Sequence, residues 1–315
     1  MRRNLLMITL SFVLFINCFS NAYSIPEGVL ISSGNFIMGM FPETSIAGPG
    51  ETPARPVIIS YDFYLGKYEV TNREFLTFLN DANVSKEGRL NGCEVIEINT
   101  SHSDFCFTEN GFALKNPEKG NYPVIFIPWW GAVQYCNWLS EKSGLPKAYD
   151  SSTGGFLNAQ GKETKDIEQV KGYRLPTEAE WEFAAKEALL KEQYPLYSGS
   201  DRIDDVGWYL FNSDNSLFPQ FDGKGRQPTG KKQPNALGIY DMTGNVLEWC
   251  HDSYQTDYSM KSSVSNSDLP DNSQYKTARG GSWNNLALNC RVTKRWPFYP
   301  INALDNLGFR IARTR

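Results

Sequence analysis

The chain has 315 residues, a formal net charge of −4, 26 glycines and an aromatic content of 14%. This length suits one large domain or two small ones. The slight negative charge excludes the strongly basic surface that nucleic acid or anionic lipid would require. The many glycines predict numerous turns and little long regular structure.

The first 24 residues have the pattern of a secretory signal peptide. Two arginines precede an apolar stretch at 5–16 that is too short to span a bilayer, and residues 22–24 have the small-x-small form of a cleavage site. Cleavage there would leave Ile25 at the new N-terminus. An alternative is a lipoprotein signal, with Cys18 as the lipidated residue. Both readings predict an exported, periplasmic or extracellular protein without a transmembrane segment, whose mature part is residues 25–315.

Alternating apolar residues predict one strand at 34–39 and another at 57–64, with a Pro- and Gly-rich loop at 42–56 between them. Residues 81–121 are rich in Asn, Gly, Ser and charges, which predicts a surface insertion. Residues 194–235 are expected to be irregular, because Asn, Asp, Gly and Pro are scattered through them.

Three helix starts follow from local signals. Thr71 with Glu74 and Thr177 with Glu180 both have the Ser/Thr-x-x-Glu form of a capping box, and Pro128 opens a third helical pattern. Few helices among many short strands indicate an α+β fold.

Five cysteines remain after the targeting segment: Cys93, Cys106, Cys136, Cys250 and Cys290. In an exported protein an odd number leaves at least one free thiol or an intermolecular bond. Cys93 and Cys106 bracket a polar loop and are expected to form a disulfide. Cys136 is interpreted as a buried small hydrophobe.

Four motifs occur in a fixed order along the chain: Tyr-Glu-Val-Thr-Asn-Arg-Glu-Phe at 68–75, Tyr-Arg-Leu-Pro-Thr-Glu-Ala-Glu-Trp-Glu at 173–182, Gly-Asn-Val-Leu-Glu-Trp at 244–249 and Arg-Gly-Gly-Ser-Trp-Asn-Asn at 279–285. The chain closes with Leu-Gly-Phe-Arg at 307–310. Together these motifs resemble the formylglycine-generating enzyme (sulfatase-modifying factor) family from about Gly34 to Arg313. The resemblance implies a single domain at 25–315 with the fold of that family, which is related to the C-type lectin fold.

The resemblance also implies a structural calcium ion. The matching positions are Asp241, Glu248 and the carbonyls of Gly244 and Val246, and hard oxygens on a bent loop suit Ca²⁺. A second calcium site of the family has no clean match here and stays open, although several acids and amides are nearby: Asn212, Asp214, Asn215 and Asp222.

The chain departs from the catalytic members of the family at the copper site. Those members bind Cu(I) between two cysteines that follow the Gly-Gly-Ser turn, and here Asn285 stands at the first position and Cys290 at the second. An amide oxygen is hard and neutral and does not replace a thiolate. Cys250 supplies a second sulfur, or forms a disulfide with Cys290, only if the fold brings the two together. Copper-dependent formylglycine formation is therefore not expected.

Other enzyme classes lack their signatures. The two histidines, His102 and His251, are too few for a three-histidine iron centre, and neither a nucleophile elbow nor a Gly-rich phosphate loop is present.

The segment after the Gly-Gly turn is rich in aromatic and apolar residues, and aromatics with Arg are typical of binding hot spots. The order of motifs also resembles variable proteins diversified by retroelements, which use this fold to present a binding face. We therefore expect an exposed face on one side of the domain, with Arg279, Ser282 and Arg310 beneath it as scaffold. Its expected members are Trp283, Asn284, Asn285, Trp296, Phe298 and Tyr299, with Leu286, Leu288 and Ile301 in the same segment.

The sequence thus predicts an exported family member that binds a protein or glycan ligand. The alternative is an oxidoreductase of the same family that acts on a protein cysteine or a related substrate with an altered site, in which Cys290 is the retained catalytic position.

Overall fold

The computed structural model describes residues 25–41, 44–190, 193–256 and 274–315. The predicted signal peptide and the alternative lipidation at Cys18 lie outside the described residues. In the part of the chain that is described, no helix is long and apolar enough to cross a bilayer.

The chain folds into short helices and strands joined by long irregular segments. The α-helices are α1 (Asn72–Asp81), α2 (Trp129–Lys142), α3 (Glu178–Ala185) and α4 (Ile203–Val206). The strands are β1 (Gly28–Ile31), β2 (Gly34–Met38), β3 (Arg55–Ile59), β4 (Phe63–Gly66), β5 (Arg89–Leu90), β6 (Cys93–Glu94), β7 (Phe105–Thr108), β8 (Gly111–Leu114), β9 (Leu247–Ser253), β10 (Lys276–Arg279), β11 (Arg295–Phe298), β12 (Leu307–Gly308) and β13 (Ala312–Thr314). This mixed composition confirms the α+β prediction.

A four-stranded sheet in the order β11-β10-β9-β12 carries the C-terminal motifs. Its β12 runs parallel to β9, and the other neighbours are antiparallel. A second sheet pairs β4 with β1 and with β13, so the two ends of the domain meet. The helix α3 packs against β2, β9 and β10 and is buried over its whole length.

The single strand predicted at 57–64 is wrong. The chain forms β3 up to Ile59 and β4 from Phe63, and the two strands pair in different sheets. Asp62 lies in the break and accepts a hydrogen bond from the backbone N of Ser33 at 2.9 Å. Burial alternates without interruption through Val57, Ile59, Tyr61, Phe63 and Leu65. Because the period of two continues across the break, periodicity alone does not reveal that the partner strand changes.

Both predicted capping boxes are confirmed. The side chain of Thr71 accepts from the N–H of Glu74 and that of Thr177 from the N–H of Glu180, and each Glu accepts in return from its capping residue. The helix α2 begins directly after Pro128, as expected.

Residues 81–121, expected as a surface insertion, form the hairpins β5-β6 and β7-β8. Several of their side chains enter the main core: Val84, Val95, Ile96, Phe105 and Phe112. The expected disulfide is wrong, because Cys93 and Cys106 are both free. Cys93 pairs with Leu90 in one hairpin and Cys106 with Ala113 in the other, so each lies in its own ladder.

Candidate functional site

The Gly-Gly turn after β10 is required by close packing. Gly280 and Gly281 have φ values of 92° and 73°, which L-residues with side chains rarely adopt. A Cβ on Gly281 would lie 2.6 Å from the Sγ of Cys290. The turn therefore places Ser282 directly against the short helical segment that ends at Cys290.

Polar side chains form a closed cluster after the turn. The hydroxyl of Ser282 lies 2.8 Å from Oδ1 of Asn284 and 2.9 Å from Oδ1 of Asn285. The amide of Asn306 donates to Oδ1 of Asn284 at 2.8 Å and to Oγ of Ser282 at 3.1 Å. Asn284 and Asn285 are half-buried, so this cluster reaches the surface with amide groups.

The sulfur of Cys290, the residue expected at the second copper position, is fully buried. Cys290 is buried with Tyr197, Ile203 and Val206, and burial raises the pKa of its thiol to about 12. Cys250 lies in the separate main core, and burial raises the pKa of its thiol well above the usual value. One cysteine and an asparagine amide do not supply the pair of sulfur ligands expected for Cu(I), and Cys250 lies in a different cluster from Cys290, so the residues present do not fit copper.

The predicted scaffold residues lie in the interior. Arg279 is fully buried, pairs with Glu182 and donates to the carbonyl of Thr293 at 2.8 Å. Arg310 is fully buried and forms a fork-like pair with Glu248, with N···O distances of 2.6 Å for both hydrogen bonds. These arginines fix the sheet and the Gly-Gly turn relative to the surrounding loops.

The expected aromatic face is not formed as predicted. Trp283 is only 5% exposed; its ring packs 5.2 Å from that of Phe221, and its Nε1 donates to the carbonyl of Asp305 at 3.3 Å. Trp283 therefore belongs to the interior, because a partner ring from a distant loop covers it.

The remaining three aromatics lie on or after β11. Trp296 and Phe298 are half-buried and pack against the main core. Tyr299 is 43% exposed, and its ring lies 4.5 Å from that of Tyr275. These residues extend the edge of the four-stranded sheet.

A different set of apolar side chains is exposed around Asn285. Leu286 is 50%, Leu288 51% and Phe211 68% exposed. The backbone N of Leu210 donates to the carbonyl of Asn285 at 3.0 Å, which joins the loop that carries Phe211 to the segment that carries Leu286 and Leu288. We call Phe211, Leu286 and Leu288 the apolar patch. Sequence reasoning missed Phe211, because its loop reaches the motif through tertiary contacts between residues that are far apart along the chain.

The expected calcium loop carries buried carboxylates. Asp241 has a left-handed φ of 57°, its Oδ2 accepts from the N of Gly230 at 2.7 Å, and its Oδ1 is buried without a hydrogen-bond partner. Both oxygens of Glu248 accept from Arg310, and Oε2 also accepts from Trp181 at 2.7 Å.

A third carboxylate, Glu69, was not foreseen from the sequence. It accepts from the side chain of Asn245 at 2.8 Å and from the N of Val246 at 3.2 Å. Burial, and then the charges of Asp241 and Glu248, raises the pKa of Glu69 well above its usual value. Burial likewise raises the pKa of Asp241 to about 6.

The buried carboxylates of Glu69, Asp241 and Glu248, with an oxygen of Asp241 that has no hydrogen-bond partner, fit a divalent cation at this loop. No three acid, histidine or cysteine side chains among the described residues converge as a metal cluster. The expected site needs only two carboxylates, those of Asp241 and Glu248, because carbonyls supply the other ligands. The second calcium site of the family was left open by the sequence. Two of the residues considered for it, Asn212 and Asn215, donate from Nδ2 to backbone carbonyls of the surrounding loop. These are the carbonyls of Gly207 and Arg226 respectively, each at 3.0 Å.

Several known proteins are similar to this chain in sequence and fold. The chain is 29% identical over 270 residues to the "Chaperone protein LppX" of Paenibacillus barcinonensis, covering 81% of each chain. It is 28% identical over 292 residues to the formylglycine-generating enzyme of Mus musculus, covering 90% of this chain and 74% of the enzyme. It also matches chlamydial kinases named Pkn1, of which it spans 38% of the length.

Among solved structures, Treponema denticola variable protein 1 superposes with a TM-score of 0.65 at 26% identity, over 91% of this chain and 95% of that one. The predicted fold is therefore confirmed. Residues 17–315 match the FGE-sulfatase family, described as the sulfatase-modifying factor enzyme 1-like domain. Since that match covers nearly the whole chain, the protein belongs to the FGE-sulfatase family.

Proposed function

We propose that this family member lacks copper-dependent formylglycine-generating activity and binds a protein partner through the apolar patch. The observation that carries the proposal is the residue type at the expected copper site: Asn285 has an amide where the resemblance implies a thiolate, and Cys290 is buried with the pKa of its thiol raised to about 12. The surface beside Asn285 is instead apolar and exposed.

Two observations favour a protein over a glycan as the ligand. The apolar patch presents exposed carbon surface, and exposed apolar surface marks interaction sites. A relative that covers 81% of the chain is named a chaperone. We expect the patch to contact an apolar segment of the partner, with the amides of Asn284 and Asn285 at its edge.

The first experiment addresses the enzyme class. The chain from Ile25 onward is incubated with a sulfatase-type cysteine peptide, copper and reductant, and the peptide mass is followed. We expect no conversion of cysteine to formylglycine, because the thiolate pair is absent. Conversion that is lost in Cys290→Ser would establish instead an oxidase with an altered site.

The second experiment addresses binding. The probe is a reduced, carboxymethylated and fluorescently labelled unfolded polypeptide, followed by fluorescence anisotropy. We expect Leu286→Asp and Leu288→Asp to abolish binding with little change in thermal stability, because exposed side chains contribute little to folding. Ile301→Asp, a substitution at another highly exposed apolar position, is the matched control. Equal binding by the patch variants and the control would remove the apolar patch from the proposal.

We also propose that the protein works outside the cytoplasm and that calcium stabilises the loop at 241–248. The N-terminal pattern supports export, with Ile25 first after cleavage or with a lipid on Cys18. Intact mass of the mature protein from its native host distinguishes the two, because lipidation retains residues 18–24 and adds acyl groups. A mature protein that retains residues 1–17 would contradict export.

A further inference from the structure

A cleft of about 250 Å³ lies on the sheet that joins β4 to β1 and β13. Gly28 and Gly66 line it and face each other in the ladder between β1 and β4. Since neither residue has a side chain, this part of the cleft is bare backbone, which lets a ligand approach closely. The apolar residues Ile25, Pro26 and Ile311 complete its aliphatic wall.

One arginine is held at the cleft by two tyrosine rings. Arg313 of β13 is the register partner of Tyr64 on β4, so their side chains lie on one face of the sheet. The guanidinium carbon lies 5.0 Å from the ring centroid of Tyr64 and 5.7 Å from that of Tyr173. Because two rings restrict its rotamers, the planar fork of N–H donors is oriented before any ligand binds.

This guanidinium has no anionic partner. Among the residues that the structure describes, no carboxylate pairs with Arg313 and no acceptor takes a hydrogen bond from its side chain. The acids at neighbouring positions have cations of their own. Glu27 pairs with Lys67 at 2.8 Å, and Asp62 pairs with Arg315 at 3.0 Å. Arg313 is also the only charged residue among the described residues that line the cleft, so its donors are available to an anion there.

An oriented guanidinium beside an apolar wall suits one class of ligand. Arginine binds a carboxylate through two parallel N–H···O bonds, and the aliphatic part of the cleft favours a group that is removed from water. We propose that the cleft binds a carboxylate that carries a short apolar or aromatic group. The carboxylate contacts Arg313, and the apolar group lies over Gly28 and Gly66. Because the guanidinium is already fixed, little rotamer entropy is lost on binding.

The size of the cleft narrows the ligand further. Pockets for drug-sized molecules are about 300–1,000 Å³, and this cleft is smaller. It suits one carboxylate with one apolar group the size of an amino-acid side chain. Two sources offer that chemistry: a free small acid and the C-terminal residue of a peptide. No residue of the apolar patch lines the cleft, and only Tyr173 comes from the four family motifs, so this site is separate from the proposed protein-binding site.

The test is saturation-transfer NMR on the chain from Ile25 onward, titrated with sodium phenylacetate at constant ionic strength. We expect saturable binding. Phenylacetamide, which has nearly the same shape without the charge, should bind at least about tenfold more weakly, because charge-assisted hydrogen bonds are lost. N-acetyl-glycyl-phenylalanine and its C-terminal amide distinguish the two sources. A site for peptide ends binds the peptide acid more tightly than phenylacetate, and a site for free acids does the reverse.

Three variants locate the ligand. Arg313→Gln should weaken binding of phenylacetate about tenfold or more. Arg315→Gln is the matched control and should bind as the wild type does, because it removes an exposed charge just after β13 without touching the wall of the cleft. Gly28→Val should abolish binding by filling the space over the bare backbone. A Cβ on Gly28 comes no closer than 3.5 Å to Tyr64, an ordinary contact, so this variant should fold. Arg313→Lys keeps the charge but loses the fork, so its affinity should be intermediate.

The proposal is overturned by the absence of saturable binding, by equal affinity for phenylacetate and phenylacetamide, or by equal affinity in Arg313→Gln and Arg315→Gln. Wild-type affinity in Gly28→Val would overturn it as well, because the ligand would then lie elsewhere. The melting temperature checks folding of each variant. Gly28→Val keeps Arg313 and both rings, so it tests the cleft even if Arg313→Gln fails to fold. The titration uses no protein partner, so its failure is distinct from failure of the proposed function.

Discussion

At the scale of single residues, the chemistry of the Gly-Gly-Ser segment depends on burial. Cys290 is the residue expected at the second copper position, yet its sulfur faces Gly281 and the carbonyl of Ser282, which lies 3.8 Å away. A thiol with a pKa of about 12 is almost entirely protonated at neutral pH. The residue acts here as a small apolar side chain that fills the space beneath the turn.

Thiol reactivity checks this assignment. In the native chain from Ile25 onward, a thiol reagent such as Ellman's should modify only Cys93 and Cys106 rapidly, because these two thiols are partly exposed to solvent. The three buried cysteines should react only after unfolding in denaturant: Cys136, Cys250 and Cys290. A third rapid equivalent that disappears in Cys290→Ser would show that the copper position is open to solvent.

At the scale of secondary structure, α3 is held by tertiary ion pairs. An isolated helix of eight residues is not stable in water, and this one is buried on all sides. Its three glutamates each meet a cation from another part of the molecule or from the helix C-cap. The pairs are Glu178 with Arg295, Glu180 with Arg174, and Glu182 with both Arg279 and Lys186.

Substituting Arg174→Met should lower the free energy of unfolding by about 3–5 kcal/mol, because Glu180 then remains buried without its counter-charge. Arg174 contacts both oxygens of Glu180 at 2.7 Å and also donates to Thr314 of β13 at 3.0 Å. The double variant Arg174→Met, Glu180→Gln should recover part of the loss. Urea unfolding of the four proteins of the cycle measures this coupling, and additive losses would contradict it.

At the scale of the whole molecule, the loop before β9 joins the main elements. The N of Gly244 donates to the carbonyl of Gly280, and Asn245 links Glu69 to the backbone of Gln227. Arg310 ties Glu248 of β9 to the carbonyl of Gly66 at the end of β4. A cation bound at this junction would stabilise both sheets together.

Calcium should therefore raise the melting temperature of the whole domain. A ligand specific for the native state stabilises it by about 2.7 kcal/mol at a hundredfold excess over its Kd. We expect chelator to lower the melting temperature of the wild type and to have no effect on Asp241→Asn, in which a charged ligand is removed without disturbing the Glu248–Arg310 pair. Glu163→Gln, an exposed substitution elsewhere, is the control. A wild type indifferent to chelator would remove calcium from the proposal.

The sequence by itself determined the features that are local or that occur as ordered motifs. The capping boxes at Thr71 and Thr177 act within four residues, so they define helix starts without tertiary help. The order of the four motifs identified the family and its α+β fold. The prediction that Asn285 stands in place of a copper cysteine needed no structure, because it depends on residue type alone.

Tertiary structure decided everything that depends on which distant residues meet. Trp283 is buried because Phe221 packs on it, and Phe211 joins the surface beside Asn285 because a loop hydrogen-bonds there. The alternation of apolar residues continues from β3 into β4, yet the two strands pair in different sheets. Asp104, Lys119 and Arg226 are separated along the chain, so their ion pairs form only when folding brings them together.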